Sequence, residues 1–589
     1  MRVLSALLFL PLVLGTPIRA VPLSGQQLLD PRTADLLDSG ERLLNSRQFD
    51  QAITQFNAAL QADPSLAAAH NGLGLAYIGK DDADRAAGEF RECLRLDPRN
   101  AEAWSNLGLI LLRTGKTEDA LQALLKSVEI APSSAANHYR LGLGLSSNGQ
   151  ADRAVSEFST AMKLQPSFPE AENALGITLV SMGKPDEALA HFRQALALRP
   201  EYPEAHYNLG LAYLRTPDPV SAAMEFREAL RLRPGYREAG LRLGEALLGI
   251  GNSAGAAEEF RAVLAVAPDS AEAHYDLGRC DRELKHSDHA AAQFREAIRL
   301  DPKFAEAYNN LGALDADGGR VQDARGNFEK AEELKPDYAE PHYNLGFLDI
   351  LGSNLDDAGA EFRKAATLQP ENAEFHYRLG FLLAQQGKWS EAATELRAAA
   401  KLDPENSSAR YTLGRLLTRT GDQAGAAQEF AEVARIQQSQ KDKNARGTET
   451  ILEISEGMKA MAAGNLQDAV QDFTKATAAG PYSAEAHNHL GVALMKLGER
   501  RQAAAEFRKA VELQPQNAAA RNNEASILAQ GGDIRAAIER LQEAIALQSD
   551  MAEAHHNLGV LLLQQGDQVN GRAEIEKARN LGFTAASPP

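Results

Sequence analysis

One interval governs this chain. A glycine returns every 34 residues, at Gly40, Gly74, Gly108, Gly142, Gly176, Gly210, Gly244, Gly278, Gly312, Gly346, Gly380 and Gly414. The next step is 43, to Gly457, and the spacing of 34 then resumes through Gly491, Ala525 and Gly559. If Gly108 is position 8 of its unit, there are sixteen units, twelve and then four. Position 20 is alanine from Ala52 to Ala537, with Gly571 the exception. Position 24 is phenylalanine in most copies, among them Phe56, Phe90, Phe158, Phe192, Phe226, Phe260 and Phe507. Position 32 is proline in thirteen copies, from Pro64 to Pro515.

The unit Ala101–Ser134 shows what this pattern dictates. Trp104, Leu107 and Gly108 lie on a first helix, which Gly115 and Lys116 break. Ala120, Leu124 and Ser127 recur at helical spacing on a second, which Pro132 ends. Small residues at 8 and 20 let the helices approach closely where they cross. The large residue at 24 fills the space beside that contact. Proline at 32 cannot continue the helix and turns the chain into the next unit. One helix pair cannot bury its apolar face alone, so neighbours must stack.

The W-x-x-L-G cluster, the alanine, the large apolar residue and the proline at these places resemble the tetratricopeptide repeat, a 34-residue helix-turn-helix. The resemblance implies an all-α, right-handed superhelical solenoid. It also implies that the first helices line a concave groove, with positions 2, 5, 9, 12 and 13 most exposed there.

The repeats cover about residues 33–583 of 589, so length counts modules. The formal net charge of -18 argues against nucleic acid as a partner, since affinity there needs a basic surface. Met1–Ala20 reads as a secretory signal peptide. Arg2 supplies the positive start, Val3–Leu14 a short apolar run, and small residues follow. An uncleaved anchor is the alternative, and cleavage after Gly15 is a second possible site. No later stretch is long and apolar enough to span a membrane. An exported protein, periplasmic or secreted, is therefore expected. Cys93 and Cys280 are six repeats apart. At roughly 10 Å per helix-packing step they lie too far apart for a disulfide, which needs α-carbons within about 7 Å.

Val21–Arg32 is a lead-in, 33–440 hold repeats one to twelve, and 450–583 hold repeats thirteen to sixteen. Pro217 and Pro219 replace glycine at the inner turn of repeat six. At the break, Gln438 stands where proline is usual and 441–449 are nine extra residues. Arg446-Gly447 reads as a helix C-terminal cap, and Thr450 with Glu453 as a capping box opening the next helix. Nothing breaks a helix from Ala426 to Ala445, so an overlong second helix with a loose joint fits, as does a local bulge that leaves the stack continuous. Residues 584–589 read as a disordered tail.

No catalytic motif, phosphate loop or cofactor fingerprint occurs. No enzyme activity and no cofactor are expected. Eight of thirteen histidines occupy position 4, a packing place, and His286 with His289 lack a cysteine or third histidine nearby, so no metal site is expected.

Four columns are candidate partner-binding residues. Position 5 carries Tyr139, Tyr207, Tyr275 and Tyr343, with Tyr377 and Tyr411. Position 6 carries Asn106, Asn208, Asn310 and Asn344. Asparagine there is similar to the ladder in the repeat arm of O-linked N-acetylglucosamine transferases, which grips peptide backbone; the competing reading, and the favoured one, is consensus bonding between repeats. Position 2 carries Glu170, Glu204, Glu238, Glu272, Glu306, Glu340 and Glu374, which would also complement helix dipoles. Position 11 carries Asp281, Asp315 and Asp349, carboxylates on a packing face that need pairing or hydration.

The expected function is a non-catalytic scaffold that holds proteins or peptides, basic segments above all, in its groove. The alternatives are a substrate-recruiting subunit of a glycosyltransferase or cell-envelope machine, and a polysaccharide-binding array.

Overall fold

The computed structural model describes residues 30–584. Among them every regular element is an α-helix, from Pro31–Asn45 to Gln568–Asn580, and the helices alternate in pairs at the 34-residue period. The signal peptide expected at Met1–Ala20, most of the lead-in and most of the tail lie outside the described residues. The first helix opens at Pro31, inside the expected lead-in, because proline at the first helical position is pre-set for the helix. None of the described helices is long and apolar enough to cross a membrane.

Close approach at position 8 organises each pair. Phe56, Phe90, Phe158, Phe192, Phe260, Phe294, Phe328, Phe362, Phe473 and Phe507 are fully buried at position 24. Each ring lies on the α-carbon of its own repeat's glycine. A Cβ on Gly142 would stand 2.6 Å from Phe158 Cε1, and one on Gly278 2.7 Å from Phe294 Cε1. Burying such a ring contributes about 2–3 kcal/mol, and alanine at 20 lets the second helix come near enough for it. Asn100, Ser134, Ser270 and Asn406, at position 34, cap the next first helix by accepting its N–H at position 3.

The described chain divides into two compact units, residues 30–218 with 228–234, and residues 219–227 with 235–584. The first holds one continuous apolar core from Leu37 to Ala212. The second holds several, including one over Ala339–Ala426 and another over Ile454–Phe507. Cys93 and Cys280 are buried and unpaired, and burial pushes both thiols up to about 12.

The break between repeats twelve and thirteen differs from the expected cap and capping box. Gln423–Ala462 is one helix of 40 residues, the second helix of repeat twelve fused to the first of repeat thirteen. Gly447 sits inside it, and Thr450 Oγ1 turns back to the Arg446 carbonyl at 2.7 Å instead of capping. No proline or left-handed residue interrupts the run. Gln438–Asp442 and Gln440–Asn444 side-chain bonds at 2.8 and 2.9 Å support the polar middle. Residues 440–449 are all exposed and burial resumes at Thr450, so the fused helix is bare between two packed ends.

Replacing Gly142 by alanine is expected to destabilise by about 1–3 kcal/mol, since Phe158 has no space to retreat into. Urea denaturation should show a lowered midpoint for Gly142→Ala, whereas an unchanged midpoint would refute the close-approach account.

Candidate functional site

The first helices carry the candidate columns, and the structure commits much of their polarity to neighbours. Asparagine at 6 reaches position 5 of the preceding repeat. Asn208 Nδ2 donates to Asn173 Oδ1 at 3.0 Å, Asn344 to Asn309 at 2.9 Å, Asn523 to Asn488 at 3.0 Å and Asn557 to Asn522 at 3.0 Å. Asn310 donates to the Tyr275 hydroxyl at 3.2 Å, and Asn106 accepts from Arg140 Nη1 at 3.2 Å. Of the two readings left open for this column, bonding between repeats is the one the geometry displays.

The tyrosines at 5 pack. Tyr139 is buried, its ring 6.0 Å from Phe158 and 5.0 Å from Phe168, and burial raises its hydroxyl well above the ordinary range. Tyr275 lies against Phe294 and Phe304, and Tyr343 against Phe347, Phe362 and Phe375. Tyr207 is half-buried. Tyr411 departs from its column, with half of its surface in solvent at 50 %.

Glutamate at 2 faces position 31 of its own repeat. Where that place is basic the two pair: Glu170 with Arg199, Glu204 with Arg233, and Glu306 with Lys335 at 2.9 Å. Glu340 accepts from Gln369 at 3.3 Å. Glu238, Glu272 and Glu374 lack such a partner at 31 and meet Arg237, Arg242 and Arg378 from half-exposed places.

The aspartates at 11 are all buried. Asp315 accepts from Arg320 Nε and Nη2 at 2.9 and 2.7 Å and from Asn327 at 2.9 Å. Asp349 accepts from Arg325 Nη2 at 2.5 Å. Asp281 is different. Arg261 Nη2 and His286 Nδ1 stop 3.7 and 3.5 Å from its Oδ1, which has no hydrogen-bond partner. His289 offers a third ligand atom, and the three lie within 4.8 Å of one another.

Histidine at 4 is a clamp. Nδ1 meets the carboxylate at position 23, as in His138–Glu157 at 2.6 Å and His376–Glu395 at 2.6 Å. Nε2 meets the carbonyl at position 32 of the preceding repeat, Pro132 at 2.9 Å and Pro370 at 3.0 Å in the same two cases. Trp104 and Arg410 make the same carbonyl contact from position 4, at 3.0 and 2.8 Å.

Part of the first-helix surface free of such bonding lies in repeats ten to twelve. Ile350 and Leu351 at positions 12 and 13, Phe381 at 9 and Tyr411 at 5 are exposed. Arg378 lies over Phe347 and Tyr377 at 5.2 and 5.3 Å, and Arg415 over Tyr411 at 6.0 Å. Except for Tyr411, this patch went unread in the sequence; large apolar residues at the resemblance's groove positions were the available signal.

Asp276, at position 6 of repeat eight, titrates within reach of ordinary buffers. Burial pushes its carboxyl up to about 6 against the pull of Arg279, 2.9 Å away. The unfolded carboxyl titrates near 4. Between those values the folded state holds a proton the unfolded state lacks, so this group's cost is full above pH 6 and is relieved as pH falls toward 4. Asp276→Asn is therefore expected to stabilise by about 1–2 kcal/mol at pH 7.5, the gain shrinking by pH 4. Melting of both proteins across that range checks the sign.

A tetratricopeptide-repeat family model matches residues 37–98, 74–135, 173–237, 241–287, 352–396, 382–441, 455–518 and 492–534. Two further repeat models match 271–304 and 525–566. A search of curated proteins finds no match. Among solved structures the chain is similar to yeast Tom70, at 18% identity over 69% of this chain and 92% of that one, with TM-score 0.35. It is similar to pilF of Pseudomonas aeruginosa at 25% identity over 37% and 99%, with TM-score 0.33. A third is a thermophilic repeat protein of Thermus thermophilus, TTC0263, at 23% identity over 31% and 99%, with TM-score 0.29.

Proposed function

Because the chain belongs to the tetratricopeptide-repeat family, we propose that it is a non-catalytic scaffold that holds protein or peptide segments along its first-helix surface. The row Ile350, Leu351, Phe381 and Tyr411 carries this reading. Phe381 touches Tyr377 and Tyr411 touches Phe430, yet all four side chains of the row leave over a third of their surface in water, which is costly. Aromatic residues flanked by arginine are also the side chains that dominate protein interfaces. Stacked repeats present such a row as an extended surface that an unfolded segment follows.

The segment held is basic. The chain carries -18 overall, and Glu238, Glu272 and Glu374 keep about half of their side chains in solvent with no cation at position 31. The scaffold acts outside the cytoplasm, on the strength of Arg2, the apolar run Val3–Leu14 and the small residues after it.

Peptides selected against the full chain from a random display library test the surface. The triple variant Leu351→Ala, Phe381→Ala, Tyr411→Ala should bind them at least about tenfold more weakly with unchanged helical circular dichroism. Selected peptides should be rich in lysine and arginine, and their affinity should fall as ionic strength rises from about 0.05 to 0.5 M. Equal binding by the triple variant would remove this surface from consideration; salt-independent binding would remove the basic segment alone.

Export is checked separately. N-terminal sequencing of the mature protein should begin at or near Val21, and an intact Met1 in the exported fraction would refute it.

A further inference from the structure

We propose that repeat eight binds a divalent transition-metal ion, of the zinc type, through Asp281, His286 and His289.

The local fold brings these three together. Asp281 lies in the last turn of the first helix, Ala271–Glu283, with its side chain on the packing face. His286 is the N-cap residue of the second helix, Ser287–Leu300, and His289 lies within that helix's first turn. The His286 N–H donates to the Asp281 carbonyl at 2.7 Å, which closes the turn and holds the two side chains side by side. His286 and His289, three residues apart, share a helix face, their ring centroids 6.1 Å apart and edge-on.

What points to a ligand is the state of the carboxylate. Asp281 is 3 % exposed, and its Oδ1 has no hydrogen-bond partner. A buried carboxylate oxygen whose lone pairs meet no donor is expensive. The next repeat shows the usual remedy, since Arg320 at position 16 gives Asp315 two N–H bonds. In repeat eight position 16 is His286, whose Nδ1 stops 3.5 Å short, and Arg261 remains at 3.7 Å. Arg261 answers the charge at a distance but leaves Oδ1 without a bonded partner, and that oxygen is flanked by two imidazoles, the donors preferred by zinc-type ions.

The spacing suits that ion. Bonds of about 2.0–2.2 Å in a tetrahedral set place neighbouring ligand atoms roughly 3.3–3.6 Å apart. The Asp281–His286 pair already has this separation, and all three atoms fall within 4.8 Å, so rotation of the exposed His289 completes the set. Three protein ligands leave a fourth position for water or a partner's side chain. The other cluster of this type, Glu332, His342 and Glu361, lacks the same need. There Lys364 Nζ already bridges the two carboxylates, at 3.4 and 3.0 Å, and His342 Nδ1 meets Glu361 at 2.7 Å.

Titration of the metal-free full chain with Zn2+ alone, followed by calorimetry and by Co2+ absorption, tests this. One equivalent should bind with a tetrahedral Co2+ spectrum. Both His286→Gln/His289→Gln and Asp281→Asn should weaken it at least tenfold, while Arg261→Leu, which removes the competing cation, should tighten it. The histidines are exposed, so their replacement leaves the fold intact, and unchanged far-ultraviolet circular dichroism verifies this for each variant. Absence of binding overturns the proposal, as does an equivalent that survives both replacements. Binding lost with the histidines but indifferent to Asp281→Asn also overturns it, since that is a surface histidine pair and not this site.

Discussion

A phenylalanine ring laid on a glycine α-carbon is the contact from which the rest of each repeat follows. Gly142 under Phe158 and Gly278 under Phe294 bring two helices closer than any Cβ would allow. The alanine at position 20 is needed for the same approach. Once the pair is locked, the outward face of one pair fits only the next, and the stack propagates. Where the ring is replaced, by Leu124 or Leu396, the branched side chain occupies the same space over Gly108 or Gly380. The contact thus tolerates a change of shape, and in repeat fifteen, where Leu541 stands in place of the ring, it also accepts Ala525 in place of the glycine.

Periodic polarity in this chain serves the stack first. Asparagine at 6 reaches the neighbour's position 5, histidine at 4 joins a carboxylate to a carbonyl of the preceding repeat, and glutamate at 2 pairs with position 31 wherever that place is basic. A residue that recurs in most repeats is answered by another that recurs with it. Candidate function lies in the exceptions: an aromatic such as Phe381, exposed at a position where Leu75 and Ile177 are covered, or His286 where Arg320 stands one repeat later.

This explains how much was legible in the sequence. Helix pairs, their period and the role of position 24 could be read because each depends on residues a fixed distance apart. The fate of the aspartates could not be, because it turns on whether Arg320, Arg325 or Arg261 arrives within bonding distance, and the spacing is different each time. The pairing of position 2 with position 31 was hidden by its 29-residue separation. The break at 441–449 was visible as nine extra residues and an overlong second helix, but the cap and capping box read there were wrong. Gly447 and Thr450 carry stop and start chemistry, yet with no proline and with helix-forming neighbours the ladder ran through both.

That uninterrupted ladder makes the spacing between repeats twelve and thirteen a matter of phase. A flexible loop would accept any number of residues. A rigid screw does not: each residue turns the helix by about 100° and advances it about 1.5 Å. Loss or gain of a single residue anywhere in the bare stretch would swing Ile454 and everything packed on it to another side of the axis. Only steps near seven or eleven residues, close to whole turns, restore the facing. A stretch exposed along its whole length is therefore among the least free to change that length.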